Sequence, residues 1–158
     1  MIKTNWNTGS NDSITFSNII EQIKKHTLLK GTVYIGTDSF FIKTKCIFAT
    51  AICLYGADKQ QGGKYFYTKT ILNKNKFPEL SIRMIKEAEN TILIANSIID
   101  EVPTAILELH LDISPHENNE GTSHLAKMLV GYVKGSGYEC KIKPYAFAAA
   151  SIADKHSK

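Results

Sequence analysis

The 158-residue sequence predicts a single α/β domain with a mixed five-stranded sheet. Three runs rich in β-forming residues, 32–40, 43–55 and 64–72, are joined by connections too short for a crossover helix, which predicts an antiparallel meander. After residue 72 the chain alternates helical and strand patterns, as is typical of strands joined through helices. A hydrophobic content of 43% at this length is enough for one core.

An additional helix is expected before the meander. Residues 1–12 are polar and predict a flexible N-terminus, so that 13–158 would form the domain. Ser17 is a candidate N-cap, because isoleucines recur at helical spacing after it. The helix should end before Gly31, which precedes the first β-forming run.

The second half of the chain predicts three helices and two strands. Pro78 suits the first turn of a helix, and a Gly-rich stretch at 134–137 is a helix stop signal. In chain order, the predicted elements are a helix over 80–99, a strand over 104–114, a helix over 123–133, a short strand over 138–143 and a helix over 146–156.

Composition indicates the compartment and a class of partner. The chain has no hydrophobic signal core at its start and no apolar run of the roughly 20 residues that a bilayer requires, so we expect a cytoplasmic protein without a membrane partner. Cys46, Cys53 and Cys140 lie in predicted strands without a CxxC spacing and are expected to be reduced and buried. A net charge of +4, with Arg83 as the only arginine, suits contact with phosphates by point charges.

Four acidic residues are the candidate functional groups. Asp38 and Asp112 lie at the ends of apolar strands, where an unpaired carboxylate is costly without a cation. Glu87 lies on the second predicted helix, and Asp154 lies near the C-terminus, one turn after small residues that would let the last helix approach the sheet. Each alone also fits a turn or surface acid, but together they predict a site for two divalent ions.

Two questions about this site stay open at the level of sequence. Glu87 is placed at the edge of the buried face of its helix and Glu89 on a more solvated side, so Glu87 is preferred and Glu89 is the alternative. A zinc-type site of His110, Asp112 and His116 is a rival interpretation, but no HExxH or paired-cysteine motif supports it.

Three short motifs carry a resemblance to a known family. They are Gly-Thr-Asp-Ser at 36–39, His-Leu-Asp-Ile at 110–113 and Ile-Ala-Asp-Lys at 152–155. In these motifs, and over most of the chain from about residue 16, the sequence resembles the YkuK-like bacterial family of the ribonuclease H-like superfamily. The biochemical role of that family is poorly defined.

The resemblance implies a ribonuclease H-like sheet flanked by helices and hydrolysis of phosphodiester bonds in RNA, DNA or a hybrid. It also implies two Mg²⁺ or Mn²⁺ ions as cofactor, with Asp38, Glu87, Asp112 and Asp154 as metal ligands and catalytic residues. Lysines such as Lys43, Lys45, Lys74 and Lys76 would then contact the nucleic-acid backbone.

Two departures from ribonuclease H support an alternative function. The loop before the last helix, 144–146, contains no histidine, although His116 or His156 could substitute for it. The basic insertion that grips the hybrid in some ribonucleases H is missing, because 135–137 leads directly into the next strand. The alternative is a catalytically weak or inactive module that binds nucleic acid or protein.

Overall fold

The computed structural model describes residues 5–114 and 120–158, apart from the side chains of 120–123. The strands are β1 (Trp6–Thr8), β2 (Ser13–Ile14), β3 (Thr32–Ile42), β4 (Lys45–Tyr55), β5 (Lys64–Asn73), β6 (Ile106–Leu111) and β7 (Glu139–Lys141). The helices are α1 (Phe16–Leu28), α2 (Leu80–Glu101), α3 (Glu120–Gly135) and α4 (Asp154–Ser157). A 3₁₀ turn (Lys74–Lys76) precedes α2, and a π-helical turn (Ala148–Ala153) precedes α4.

The strands form one mixed sheet in the order β2-β1-β5-β4-β3-β6-β7. The predicted meander is confirmed, since β3 pairs antiparallel with β4 and β4 pairs antiparallel with β5. Beyond it, β6 lies parallel to β3, and β7 lies parallel to β6. This α/β architecture with helices around a mixed sheet is the predicted fold class. It puts the end of β6 beside Thr37 of β3, and because β3 continues to Ile42, Asp38 lies within its strand and not at the end, where it was predicted.

The sheet has seven strands rather than five, because the N-terminal segment contributes two. β1 pairs with β5, so β5 is not the sheet edge that a five-stranded sheet would make it. Trp6 is fully buried, and its ring centroid lies 5.9 Å from that of Phe16. Residues 5–12 therefore belong to the folded domain, unlike the flexible N-terminus predicted over 1–12. A three-residue strand anchored by one indole is too short to give a pattern of period two.

The cap of α1 and the form of the last helix differ from the predictions. Thr15, not Ser17, caps α1, and its hydroxyl accepts a hydrogen bond from the backbone N–H of Asn18 at 3.1 Å. The last helix, predicted over 146–156, is instead a π-helical turn followed by the single turn α4.

Gly36 in β3 allows the C-terminal segment, residues 148–157, to lie directly on the sheet. A Cβ atom at Gly36 would lie 2.5 Å from the backbone nitrogen of Ala149, which no relaxed structure tolerates. The close approach that small residues predicted thus occurs, but it occurs at Ala149, earlier in the segment than Ala150 and Ser151.

The opposite face of β3 contacts α2 in three successive layers, which we call the β3–α2 ladder. Side chains two apart on the strand meet side chains four apart on the helix, because two strand residues and four helix residues both span about 6 to 7 Å. The pairs are Thr37 with Thr91, Ser39 with Glu87, and Phe41 with Arg83.

The three cysteines are free and buried, as predicted, and burial raises the pKa of the Cys53 thiol to about 12. Among the residues described, none of the helices has the length and apolar character that crossing a membrane would require.

Candidate functional site

Asp38 and Asp112 come together because their strands are parallel neighbours. Thr37 of β3 is in register with Leu111, the last residue of β6. The next residue of the chain after each of them is an aspartate. Asp154 reaches the same place from the first turn of α4. The carboxyl groups of Asp112 and Asp154 both lie within hydrogen-bonding reach of the Asp38 carboxyl. We call these three residues the aspartate cluster.

The environment of Asp38 favours its neutral form. Burial raises the pKa of the Asp38 carboxyl from 3.8 to about 7, and the carboxyl groups of Asp154 and Asp112 add to this effect. The Ser157 hydroxyl opposes it by donating a hydrogen bond to Asp38 Oδ2 at 3.1 Å. A cation placed among these groups would relieve both the burial and the repulsion.

Two lysines already bring positive charge to the aspartate cluster. Lys143 Nζ lies 2.9 Å from Asp112 Oδ1, and Lys158 Nζ lies 3.0 Å from Asp154 Oδ1. Burial acts to raise the pKa of Asp154, but hydrogen bonds from Lys158 and Asp38 outweigh it and lower that pKa. Among the residues that the structure describes, Asp112 Oδ1 is buried and makes no hydrogen bond, although Lys143 Nζ lies close to it as an ion-pair partner.

Glu87 lies on the other side of β3 from the Asp38 side chain. Consecutive strand residues point to opposite faces, and the Glu87 carboxylate accepts a hydrogen bond from Ser39, the neighbour of Asp38. Burial raises the pKa of Glu87 well above its usual range, the Ser39 hydroxyl opposes this, and the charges of Asp38 and Asp112 add to it. Glu89 is partly exposed, so the helical geometry that distinguished the two acids is confirmed.

His110 has a structural position beside the cluster. Its ring is fully buried, with Nε2 3.0 Å from Glu108 Oε2 and Nδ1 accepting a hydrogen bond from the backbone N–H of Ala148 at 3.1 Å. This contact ties β6 to the C-terminal segment that carries Asp154. Burial lowers the pKa of the imidazole. The other histidine of the rival zinc site, His116, lies outside the described residues.

His156 is held among aromatic rings. Its imidazole stacks on Tyr67 with the ring centroids 3.6 Å apart, and its Nε2 lies 2.8 Å from the Tyr65 hydroxyl. A ring fixed in this way differs from a mobile histidine in a loop. The substitution of the missing histidine by His156 therefore has no support in its contacts.

Within 5–114 and 120–158, no three His, Cys, Asp or Glu side chains are arranged to hold a metal ion. The chemistry of the aspartate cluster nevertheless fits a divalent cation. All of its donors are carboxylate oxygens, the kind that Mg²⁺ and Mn²⁺ prefer, and one of them, Asp112 Oδ1, has no hydrogen bond to any described part of the chain. The lysine ammonium groups mark the positions at which the acids attract positive charge.

Sequence reasoning missed the side chains that hold the acids. Ser39, Ser157, Lys143 and Lys158 contact the candidate acids. Ser39 belongs to the Gly-Thr-Asp-Ser motif, but its contact with Glu87 was not predicted, and the other three residues lie outside the three motifs. Gly36 did carry a signal, because a glycine inside a strand often marks the close approach of another backbone.

One comparison with known proteins gives a match. A family model described as Ribonuclease H-like matches residues 15–158, which agrees with the resemblance to the YkuK-like family. No curated protein and no solved structure matches the chain.

Proposed function

The chain belongs to the ribonuclease H-like family, and on that premise we propose that it hydrolyses phosphodiester bonds of RNA or DNA with the help of two Mg²⁺ or Mn²⁺ ions. The observation that carries the proposal is the aspartate cluster, in which carboxyl groups from β3, β6 and the C-terminal segment meet, and in which burial together with the two neighbouring acids raises the pKa of Asp38 to about 7. A divalent cation bound among these carboxyl groups would relieve both their burial and their repulsion.

In this proposal the chain's own residues bind and orient. Asp38, Asp112 and Asp154 would hold the ions, and Glu87 would join them from the β3–α2 ladder by leaving Ser39. Bound divalent ions supply a nucleophilic water at neutral pH and neutralise charge on the phosphate. The water oxygen forms a bond to phosphorus, the bond to the leaving oxygen breaks, and the departing oxygen takes up a proton as the water gives one to solvent.

A cleavage assay tests this function. Labelled single-stranded RNA and DNA, their duplexes and an RNA–DNA hybrid are incubated with the protein in Mg²⁺ or Mn²⁺. The expected result is metal-dependent cleavage of at least one substrate by the wild type and a loss of about 10³-fold or more in Asp38→Asn, because a ligand-deficient site no longer holds the ions. The substrate that is cleaved identifies the class.

Two variants of α2 provide a matched pair. Glu87→Gln is expected to reduce cleavage strongly, whereas Glu89→Gln, two residues away and partly exposed, is expected to leave it unchanged. Full metal-dependent cleavage by purified Asp38→Asn would contradict the proposal. Equal cleavage by both α2 variants would mean that Glu87 is not part of the site, which would then consist of the aspartate cluster only.

The alternative is a binding module without efficient catalysis. It is favoured by the two ion pairs, in which Lys143 and Lys158 already compensate Asp112 and Asp154. Salt-sensitive binding of the same labelled strands, without cleavage in Mn²⁺ at high protein concentration, would select this alternative.

A further inference from the structure

A basic patch covers the end of the sheet at which the β3–α2 ladder finishes with Phe41 and Arg83. We define it as residues 41–46 and 73–86, which hold six of the chain's 19 basic residues and one of its 15 acidic residues, Glu79. The two segments are joined, because the backbone N–H of Lys74 donates to the carbonyl oxygen of Thr44 at 2.9 Å. Lys43, Lys45, Lys74 and Lys76 are all exposed.

Two cations of the basic patch are held by one aromatic ring. The Nζ of Lys74 lies 4.9 Å and the Cζ of Arg83 lies 4.6 Å from the centroid of the Phe41 ring. Phe41 itself packs on a small apolar cluster that contains Phe48 and Phe77, so the ring has a fixed support. Cation–π contacts thus keep two like charges close to one place. Glu87 is the acid one turn later on α2; burial raises its pKa, and the charge of Arg83 acts to lower it.

Arg83 also has an unused donor. Its Nε is buried and, within the described part of the chain, has no hydrogen-bond partner. A buried donor without an acceptor is costly, and a guanidinium is shaped to donate to the oxygens of a phosphate. An anionic oxygen next to Arg83 would therefore satisfy this donor.

The basic patch is next to the proposed catalytic groups. Arg83 lies one helical turn before Glu87 on α2, about 6 Å along the helix axis. Phe41 lies two residues after Ser39 on β3, in the adjacent layer of the β3–α2 ladder. Since successive nucleotides rise about 3.4 Å along one strand of a duplex, an anion at Arg83 would be one or two nucleotides from a phosphate at the carboxylates.

We propose that Arg83 and Lys74, positioned by Phe41, bind a non-scissile phosphate of a nucleic-acid strand whose neighbouring phosphate reaches the aspartate cluster. The inference rests on the proposed function only for the position of the scissile phosphate. The ligand class is a polynucleotide backbone, because the groups on which the inference rests are the two cations held at the Phe41 ring.

Strand binding without metal tests the inference directly. The probe is a labelled single-stranded oligonucleotide of about 20 nucleotides, followed by fluorescence anisotropy over a range of salt concentrations. Each lost phosphate contact should lower the slope of log affinity against log salt by about 0.7, so the Arg83→Gln/Lys74→Gln double variant should bind about 25-fold more weakly near 0.1 M salt.

A matched control has the same change of charge elsewhere. Lys24→Gln/Lys59→Gln removes two exposed cations, one on α1 and one in the turn between β4 and β5 at the other end of those strands. It should keep wild-type affinity within about twofold. Lys74→Gln alone changes only an exposed side chain and should lose about fivefold, so the test does not depend on the folding of the Arg83 variant.

The outcomes separate this inference from the proposed hydrolysis. If the double variant loses affinity and the wild type cleaves nothing, the strand-binding surface stands and the hydrolysis fails. If the double variant binds no more weakly than the control, the inference is overturned whether or not the protein cleaves. Equal competition by polyglutamate of the same charge would also overturn it, because the surface would then not be selective for phosphate.

Discussion

Replacing Asp38 by asparagine should stabilise the metal-free protein while it removes the proposed activity. The folded protein holds the Asp38 proton more tightly than the unfolded chain does, since the pKa rises from 3.8 to about 7. Ionisation of Asp38 therefore does not change the free energy of unfolding below the unfolded pKa. It lowers that free energy progressively as the pH rises between the two values, and by up to about 4 kcal/mol above the folded pKa.

Asparagine keeps the shape of the neutral carboxyl and can still accept the hydrogen bond from Ser157. The free energy of unfolding of Asp38→Asn should exceed that of the wild type by about 4 kcal/mol near pH 8 and by about 2 kcal/mol near pH 5. Urea denaturation of both proteins in the presence of a chelator measures these differences.

Asp58→Asn is the matched control, because Asp58 is exposed in the turn between β4 and β5. Its free energy of unfolding should stay within about 0.5 kcal/mol of the wild type at both pH values. A variant Asp38→Asn that is less stable than the wild type near pH 8, or a gain that does not shrink toward pH 5, would refute the reasoning about the aspartate cluster.

Three further variants test other parts of the structure. Gly36→Ala should cost about 1 to 3 kcal/mol in urea denaturation, because its Cβ would meet the backbone of Ala149, and an unchanged midpoint would contradict that close approach. Trp6→Ala should cost about 3 to 5 kcal/mol because the indole is fully buried, whereas a loss below about 1 kcal/mol would mean that β1 is not part of the cooperative fold. Lys143→Met should bind Mn²⁺ about fivefold more tightly in calorimetry, as about 1 kcal/mol of competing charge is removed from Asp112, and Lys59→Met should show no such gain.

The order of the elements and the pairing of Asp38 with Asp112 could be predicted from the sequence for a definite reason. Short connections leave the meander as the simplest arrangement of β3, β4 and β5, and acids that follow matching positions of neighbouring parallel strands lie side by side. The burial of Glu87 rather than Glu89 followed from helical geometry in the same way.

Other features depend on contacts that no local pattern records. The ion pair of Lys143 with Asp112 joins residues from separate loops, and Trp6 is buried only because β1 adds to β5. Because side chains alternate along β3, Ser39 and its partner Glu87 lie on one side of the sheet and the Asp38 side chain faces the other. Grouping the acids by motif does not reveal this separation. Whether the four acids act together stays a prediction.

Calorimetric titration of Mn²⁺ into the wild type and Asp112→Asn tests the central claim most directly. Asp112 is suited to this test because one of its oxygens is buried, has no hydrogen bond within 5–114 and 120–158, and lies beside a lysine that a metal ion would displace. We predict saturable binding by the wild type and at least a tenfold loss of affinity in the variant. Equal binding by the two proteins would mean that the aspartate cluster is not a metal site, and the proposed hydrolysis would have no basis.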